Sequence, residues 1–336
     1  RLTQPYIRKA DQLNLVSWNE AIQFAARRLK QVSRKFGPES IGMLCSGKIL
    51  NDEAYLSQKF QRAVIGNNHI DNCARLCHGP SEAALRRQLG YGAVSTFLED
   101  YDATETVFRV GAHTTFTHPV IWMQEKKRAK KSGLNLVLAD PRETDLVKHA
   151  AVHLKVKPGT DIFWINALSK MIIDNGWHDQ AFCEKQTIGF KAFCKTIENL
   201  DSDAACRRAG VKPAELEKAA ELLRDKKTIF IWGMGLTQHA HGTDNVTALV
   251  NLALLTGNIG KPGCGLSPLR GQNNVQGAGD MGALPNLLPG HMEIDDEAAC
   301  VHVGAIWGAD VPCKPGLAAP EMIHDIASGK IRALYV

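Results

Sequence analysis

The sequence lacks several features that would assign it at sight. No apolar run approaches the roughly 18 residues that span a bilayer; the longest, residues 246–256, is broken by Asn251, so no direct membrane span is expected. Charge is nearly balanced, 40 Lys and Arg against 35 Asp and Glu for a net +5, which calls for neither nucleic acid nor an anionic membrane. The nine cysteines, at 45, 73, 77, 183, 194, 206, 264, 300 and 313, are odd in number and too sparse for a disulfide scaffold, and they suit a reducing compartment. No two of them form C-x-x-C, so zinc ribbons and most iron–sulfur runs are excluded. There is no P-loop and no repeat at solenoid periods. The chain opens on Arg1 with no apolar signal segment, as expected of a processed start or of a piece of a longer protein. At 336 residues, 44% hydrophobic and 22% charged, it is globular and long enough for two domains.

What is present is a rhythm. Ser17-Trp18-Asn19-Glu20 reads as a capping box, followed by Ala21, Ile22, Ala25, Leu29, Val32 and Phe36 at helical spacing, with Gly37-Pro38 as the stop. A short apolar run at 41–45, a helical pattern over 52–65 and a short segment ending near Asp71 come next. Strands are then expected at 106–110, 134–139 and 228–232, alternating with helices at 119–131, 160–174, 213–224 and 243–256. Such alternation predicts an α/β protein with parallel sheets covered by helices on both faces. Cys183, Cys194 and Cys206 fall on further expected helices and read as core. Between 257 and 290 glycine, proline and asparagine become dense, the texture of a functional loop system, and residues 331–336 read as a strand.

Loops at the carboxyl edge of a parallel sheet bind nucleotides in this architecture. Four stand out: Gly111-Ala112-His113-Thr114-Thr115, Asp140-Pro141-Arg142, Lys157-Pro158-Gly159-Thr160-Asp161 and Gly233-Met234-Gly235-Leu236-Thr237-Gln238. None is a G-x-G-x-x-G leading into a helix. Their glycines permit close approach to phosphate, Arg142 can pair with it, and Asp140 or Asp161 can accept from ribose hydroxyls or a guanine edge. Each is also what an ordinary strand-to-helix turn requires. In Cys77-His78-Gly79-Pro80-Ser81 a thiol stands beside an imidazole just before a helical pattern over 81–89, a setting that favours a thiolate able to bind metal or attack as nucleophile. The plain alternative is two small buried cysteines, 73 and 77, with His78 as a cap. Arg270-Gly271-Gln272-Asn273-Asn274-Val275-Gln276-Gly277 packs one guanidinium and four amides into eight residues, which must bind one another, the backbone or a polar ligand if buried. The basic run 126–131 reads as a solvated helix end, and His239-Ala240-His241 as structural.

In this order, Cys77-His78-Gly79-Pro80-Ser81, Thr117-His118-Pro119, Asp140-Pro141-Arg142, Gly233-Met234-Gly235, Thr256-Gly257-Asn258-Ile259-Gly260-Lys261-Pro262-Gly263 and the segment from Arg270 to Gly277 closely resemble the molybdopterin oxidoreductases, specifically the catalytic subunits of metal-dependent formate dehydrogenases. The resemblance covers nearly the whole chain. It implies two Rossmann-like doubly wound lobes, one of them discontinuous: residues 1–72 with 273–336, and residues 73–272 carrying the dinucleotide loops and the metal ligand. It implies molybdenum or tungsten held by two molybdopterin guanine dinucleotides, with Cys77 as metal ligand and His78 and Arg270 as active-site residues. Asp140, Arg142, Gly159, Asp161, Gly233, Met234, Gly235, Gln238, Gln272, Asn273 and Asn274 become the expected cofactor contacts. The implied reaction converts formate to carbon dioxide, with electrons passing to iron–sulfur or flavin subunits in the cytoplasm, the periplasm being the alternative compartment. Sister readings are another molybdenum or tungsten pterin enzyme, such as formylmethanofuran dehydrogenase, and a non-catalytic subunit like that of NADH dehydrogenase. The family's four-cysteine [4Fe–4S] segment and its C-terminal domain are expected to lie outside this chain. His113 and Phe116 stand where the family commonly has Asn and an acidic or polar residue, which implies altered recognition of one nucleotide.

Overall fold

The computed structural model describes residues 3–336. Among these the strands are, in chain order, β1 (Tyr6–Lys9), β2 (Gln12–Leu15), β3 (Ile41–Cys45), β4 (Ile70–Asn72), β5 (Thr106–Val110), β6 (Asn135–Ala139), β7 (Val152–Leu154), β8 (Thr228–Trp232), β9 (Gly265–Pro268), β10 (Leu287–Leu288), β11 (Met292–Glu293) and β12 (Ala333–Tyr335). They belong to two compact units, one formed by the segment ending at Arg75 together with Gln272–Val336, the other by Leu76–Gly271. The divisions fall at 75/76 and 271/272, where 72/73 and 272/273 were expected. Local bonds explain the shift. Cys73 Sγ accepts the Gly47 amide at 3.0 Å, Arg75 Nε donates to buried Asp71 at 2.9 Å, and the Gln272 side-chain oxygen accepts from Cys73 Sγ.

In the second unit five parallel strands lie in the order β7-β6-β5-β8-β9. Numbered within the unit this is 3-2-1-4-5, so the direction of winding reverses between β5 and β8, the position at which a doubly wound sheet opens a ligand crevice at its carboxyl edge. Both faces are covered. Phe108 and Val110 of β5 pack with Trp164, Leu168, Val246 and Leu249 of the Asp161–Asp174 and Gly242–Leu255 helices, while Val107 joins Ile229, Ile231 and Ile121 on the other face. This is the period-2 alternation of a strand buried on both sides, and each such side chain contributes roughly 1.5–3 kcal/mol through burial. β5 and β8 occupy the expected residues, and the helices Pro119–Ser132, Asp161–Asp174, Pro213–Glu221 and Gly242–Leu255 lie where helical spacing placed them. Arg109, mid-strand in β5, is fully buried and salt-bridged to Glu125, whose carboxyl is pushed up by burial. Cys183 and Cys206 are buried on the helices Gln180–Gln186 and Ser202–Ala209. Cys194 is only half-buried on Phe190–Ile197, a correction to its expected place in the core, since that short helix buries only Ile197.

The first unit holds a parallel sheet in the order β12-β3-β4. Its helix Trp18–Phe36 starts at the predicted capping box, Ser17 N donating to the Glu20 carboxylate at 2.8 Å, and stops at Gly37 with φ +87°. The helical pattern over 52–65 resolves into an α-helix, Asn51–Lys59, followed by a π-helical turn, Phe60–Ile65, closed by Gly66 N–H on the Gln61 carbonyl at 3.0 Å. The antiparallel hairpin β1–β2 was not expected: Ile7 is its one buried residue, too little apolar pattern to announce a strand.

Candidate active site

The loops that leave β5, β6, β7 and β8 wall one cavity of about 530 Å³ in the second unit. Its floor is glycine. Gly111, with φ +57°, follows β5, and Gly233-Met234-Gly235 follows β8; Gly235 N–H donates to Gly111 O at 3.2 Å. A Cβ on Gly235 would stand 2.7 Å from Gly111 Cα and 2.9 Å from its oxygen, both backbone atoms that cannot swing away. Only glycine lets the two loops lie against each other at the switch point.

The walls are polar. Asp140, 1% exposed, accepts the Arg142 amide at 2.9 Å and the Arg142 guanidinium at 3.1 and 3.2 Å. Asp161 opens its helix and is likewise buried; burial raises its pKa, opposed by His239, whose Nε2 is 3.9 Å away. Pro158, Gln238, His239 and His118 complete the lining, while Gly159 (φ +78°) turns its loop without forming wall. At the mouth His113 Nε2 pairs with Asp145 at 2.7 Å, and its ring lies 4.7 Å from that of exposed Phe116. His239 was expected to be structural and instead faces the cavity, whereas His241 is exposed at the start of the Gly242–Leu255 helix. The basic run 126–131 is solvated, as expected.

Cys77 ends the helical turn Ala74–Cys77, its carbonyl held by Thr237 Oγ1 at 2.6 Å. A Cβ on Gly271, a wall residue, would lie 3.8 Å from Cys77 Sγ and 2.9 Å from Met234 Sδ, so the buried thiol stands directly behind the wall. His78, 1% exposed, has both ring nitrogens engaged: Nε2 meets the Leu269 carbonyl at 2.7 Å and Nδ1 the Ser81 hydroxyl at 2.9 Å. Ser81 Oγ in turn accepts from Trp232 Nε1 at 2.8 Å. Burial, reinforced by the Arg270 charge, pushes His78 down to about 4. Arg270 is half-buried, with its pKa lowered by desolvation and supported by Glu82 and Cys77; its side-chain bond to Gly92 O is long at 3.4 Å. A cation held with few bonds beside a thiol is poised to take an anion.

Gln272, Asn273 and Asn274 belong to the first unit. There Asn274 Nδ2 donates to the Ile49 carbonyl at 2.7 Å and to Asn51 Oδ1 at 3.0 Å, so this amide of the run is satisfied by the loop after β3. Ser81, Trp232, His118 and His239 were not singled out as site residues. Nothing in their spacing could have shown it, since Ser81 and Trp232 are 151 positions apart.

A sheet with the Rossmann strand order, a glycine-floored cavity at its switch point and a buried thiol behind the wall define a doubly wound α/β protein with its crevice where such folds open one, and with a soft metal-ligand candidate. The sequence matches the description Molybdopterin oxidoreductase over residues 1–336, and the chain belongs to that family of oxidoreductases, whose cofactor is a molybdenum- or tungsten-bearing pterin. It is 38% identical over 341 residues to "Formate dehydrogenase H" of Escherichia coli (strain K12), covering all of this chain and 48% of that protein. It is 37% identical over 337 residues to "Probable oxidoreductase YjgC" of Bacillus subtilis (strain 168), covering all of this chain and 34% of that one. The chain thus spans between a third and a half of these relatives. Among solved structures, acetylene hydratase from Pelobacter acetylenicus shares the fold with a TM-score of 0.64 at 20% identity, over 76% of this chain and 36% of that one. Among the described residues no helix is long and apolar enough to cross a membrane.

Proposed function

We propose that this chain is the cofactor-bearing core of a formate dehydrogenase catalytic subunit, oxidising formate to carbon dioxide, a proton and two electrons, or running the reverse. The observation that carries this reading is the juxtaposition of the Cys77 thiol, the Arg270 guanidinium and the glycine-floored cavity. The residues suit the implied cofactor, two molybdopterin guanine dinucleotides carrying molybdenum or tungsten. One soft sulfur donor stands behind the cavity wall at Gly271, buried carboxylates at Asp140 and Asp161 suit ribose or guanine donors, and bare backbone at Gly111, Gly233 and Gly235 admits phosphate. When bound, the metal centre supplies the two-electron acceptor.

The protein's own part is orientation and charge. Arg270 presents a planar fork to the formate carboxylate, and its pairing with a small anion is strengthened by the dry surroundings that lower its pKa. His78, neutral and tethered at both nitrogens, packs the reacting region without adding a second charge. Electrons would leave through iron–sulfur or flavin partner subunits. The test is elemental analysis of the full-length protein for Mo and W together with formate oxidation by a viologen dye, on wild type and Cys77→Ala. Metal with formate-dependent dye reduction in the wild type, the dye reduction lost in Cys77→Ala, is expected. Metal without formate oxidation would move the reading to a sister pterin enzyme, and no metal in competently matured protein would refute it.

A further inference from the structure

β9 ends at Pro268, and Leu269-Arg270-Gly271 leaves the sheet, Leu269 and Gly271 lining the cavity. The backbone of this exit is held at three points. Leu269 N–H donates to the Trp232 carbonyl at 2.9 Å, extending the β8–β9 ladder by one rung. The Leu269 carbonyl meets His78 Nε2 at 2.7 Å, and the Arg270 carbonyl meets His118 Nε2 at 2.9 Å. A carbonyl oxygen only accepts, so each imidazole donates from Nε2. Two histidines thus replace the sheet bonds that the departing strand gives up.

The His118 contact reaches across the sheet: His118 closes the loop after β5, and β8 lies between β5 and β9. It is firmly seated. Its amide donates to the Thr114 carbonyl at 3.0 Å, its Nδ1 is 2.8 Å from Thr117 Oγ1, and it occupies the N-cap position of the Pro119–Ser132 helix. Gly111, Ala112, His113 and Thr117 of the same loop line the cavity.

We propose that His118 is a positioning residue for Arg270, tying the backbone that carries the substrate-facing guanidinium to the nucleotide-facing loop after β5. The proposal rests on the reading of Arg270 as the group that orients formate. Without the tether the 270–271 peptide can rotate, and a guanidinium at the end of a long stem is displaced by far more than its backbone; misplacement of about 1 Å is enough to weaken a reaction geometry severely.

The experiment uses the full-length, cofactor-loaded protein. His118→Phe keeps a ring and removes the donor; His118→Gln keeps an N–H of similar reach. Three quantities are read: KM against kcat for formate, metal content, and the rate at which phenylglyoxal modifies Arg270, followed by peptide mass spectrometry, which needs no turnover. Loss of one hydrogen bond should raise KM about tenfold in His118→Phe, with kcat falling less and metal retained. Arg270 should react several-fold faster in His118→Phe, and His118→Gln should restore most of both. An unchanged KM and modification rate in the metal-loaded Phe variant would overturn the proposal. So would a parallel fall of kcat and metal content at constant KM, which would mean that His118 serves the cavity it lines and not Arg270. Should His118→Phe fail to fold, Thr117→Val, which removes the partner of Nδ1, must shift both readouts in the same direction. A wild type that takes no formate while His118→Phe still exposes Arg270 would refute the formate reading and leave the tether standing.

Discussion

Arg270 and Asp161 are charged groups of opposite sign that burial keeps part-dry, and each yields a measurement. Replacing Arg270 by Lys keeps the charge and loses the planar fork, so the KM for formate should rise between about ten- and a hundredfold with metal content unchanged; equal formate affinity in the two proteins would remove Arg270 from substrate orientation. Asp161 is a carboxylate held above its ordinary pKa by burial. The folded state therefore carries a penalty for its charge that is absent below the unfolded pKa near 3.8 and grows as pH rises through the raised folded value. Asp161→Asn should melt higher than wild type at pH 7 in the cofactor-free protein, with the gap closing as pH falls toward 4. A gap of constant size across that range would show that the charge is not what destabilises. The same substitution should weaken cofactor retention if Asp161 accepts from ribose or guanine. His78 has a different lesson. Ser81 Oγ accepts from Trp232 and meets Nδ1, and Leu269 fills Nε2, so a proton taken up at Nδ1 would reverse the His78–Ser81 bond and turn the serine hydroxyl away from the ring.

At the scale of elements, the loops after β5 and β8 depend on a backbone contact that tolerates no side chain. Gly235→Ala drives a methyl into Gly111, and because neither partner can rotate away the change should destabilise by about 1–3 kcal/mol or more. Chemical denaturation would read this directly, and loss of cofactor binding should accompany it; a midpoint equal to wild type would mean that the two loops separate freely. These loops were legible in the sequence because each begins with glycine directly after a short, largely apolar run, and the same change of texture placed β5 and β8 to the residue. β7 and β9 were not: Val152–Leu154 is three residues long, and Gly265–Pro268 contains the two residues that strands least favour. They exist because β6 and β8 offer them open edges. The thiol, imidazole and guanidinium of the candidate site were named from sequence as residues, but the bonds that hold them were not visible there. Ser81 to Trp232 and His118 to Arg270 are long-range contacts created by the strand order, and no local pattern encodes them.

For the whole molecule, the distribution of cores decides what can fold alone. The two hydrophobic clusters on either face of the five-stranded sheet, from Ala84 to Leu266 and from Tyr101 to Leu269, draw every buried member from Leu76–Gly271. That segment is continuous and carries its whole sheet, so expressed by itself it should unfold in one cooperative transition. The other unit is assembled from two distant stretches, since β12 pairs with β3 and the small cluster around Met43, Ala54 and Ile70 is closed by Ala278 and Ala283. Arg62 fastens the two stretches together. Its fully buried guanidinium donates to the carbonyls of Gly282, Leu284 and Leu287 at 2.7, 2.7 and 2.9 Å, and to Asn68 Oδ1 at 2.9 Å. Removing it strands several buried acceptors at once, each worth about 1–3 kcal/mol. Arg62→Met should therefore lower the stability of the first unit by at least about 3 kcal/mol, while leaving the transition of Leu76–Gly271 where it was. Hydrogen exchange followed by peptide mass spectrometry separates the two: faster exchange confined to peptides before 76 and after 271 is expected. Faster exchange spread equally over β5 and β8 would mean that the two cores do not unfold independently.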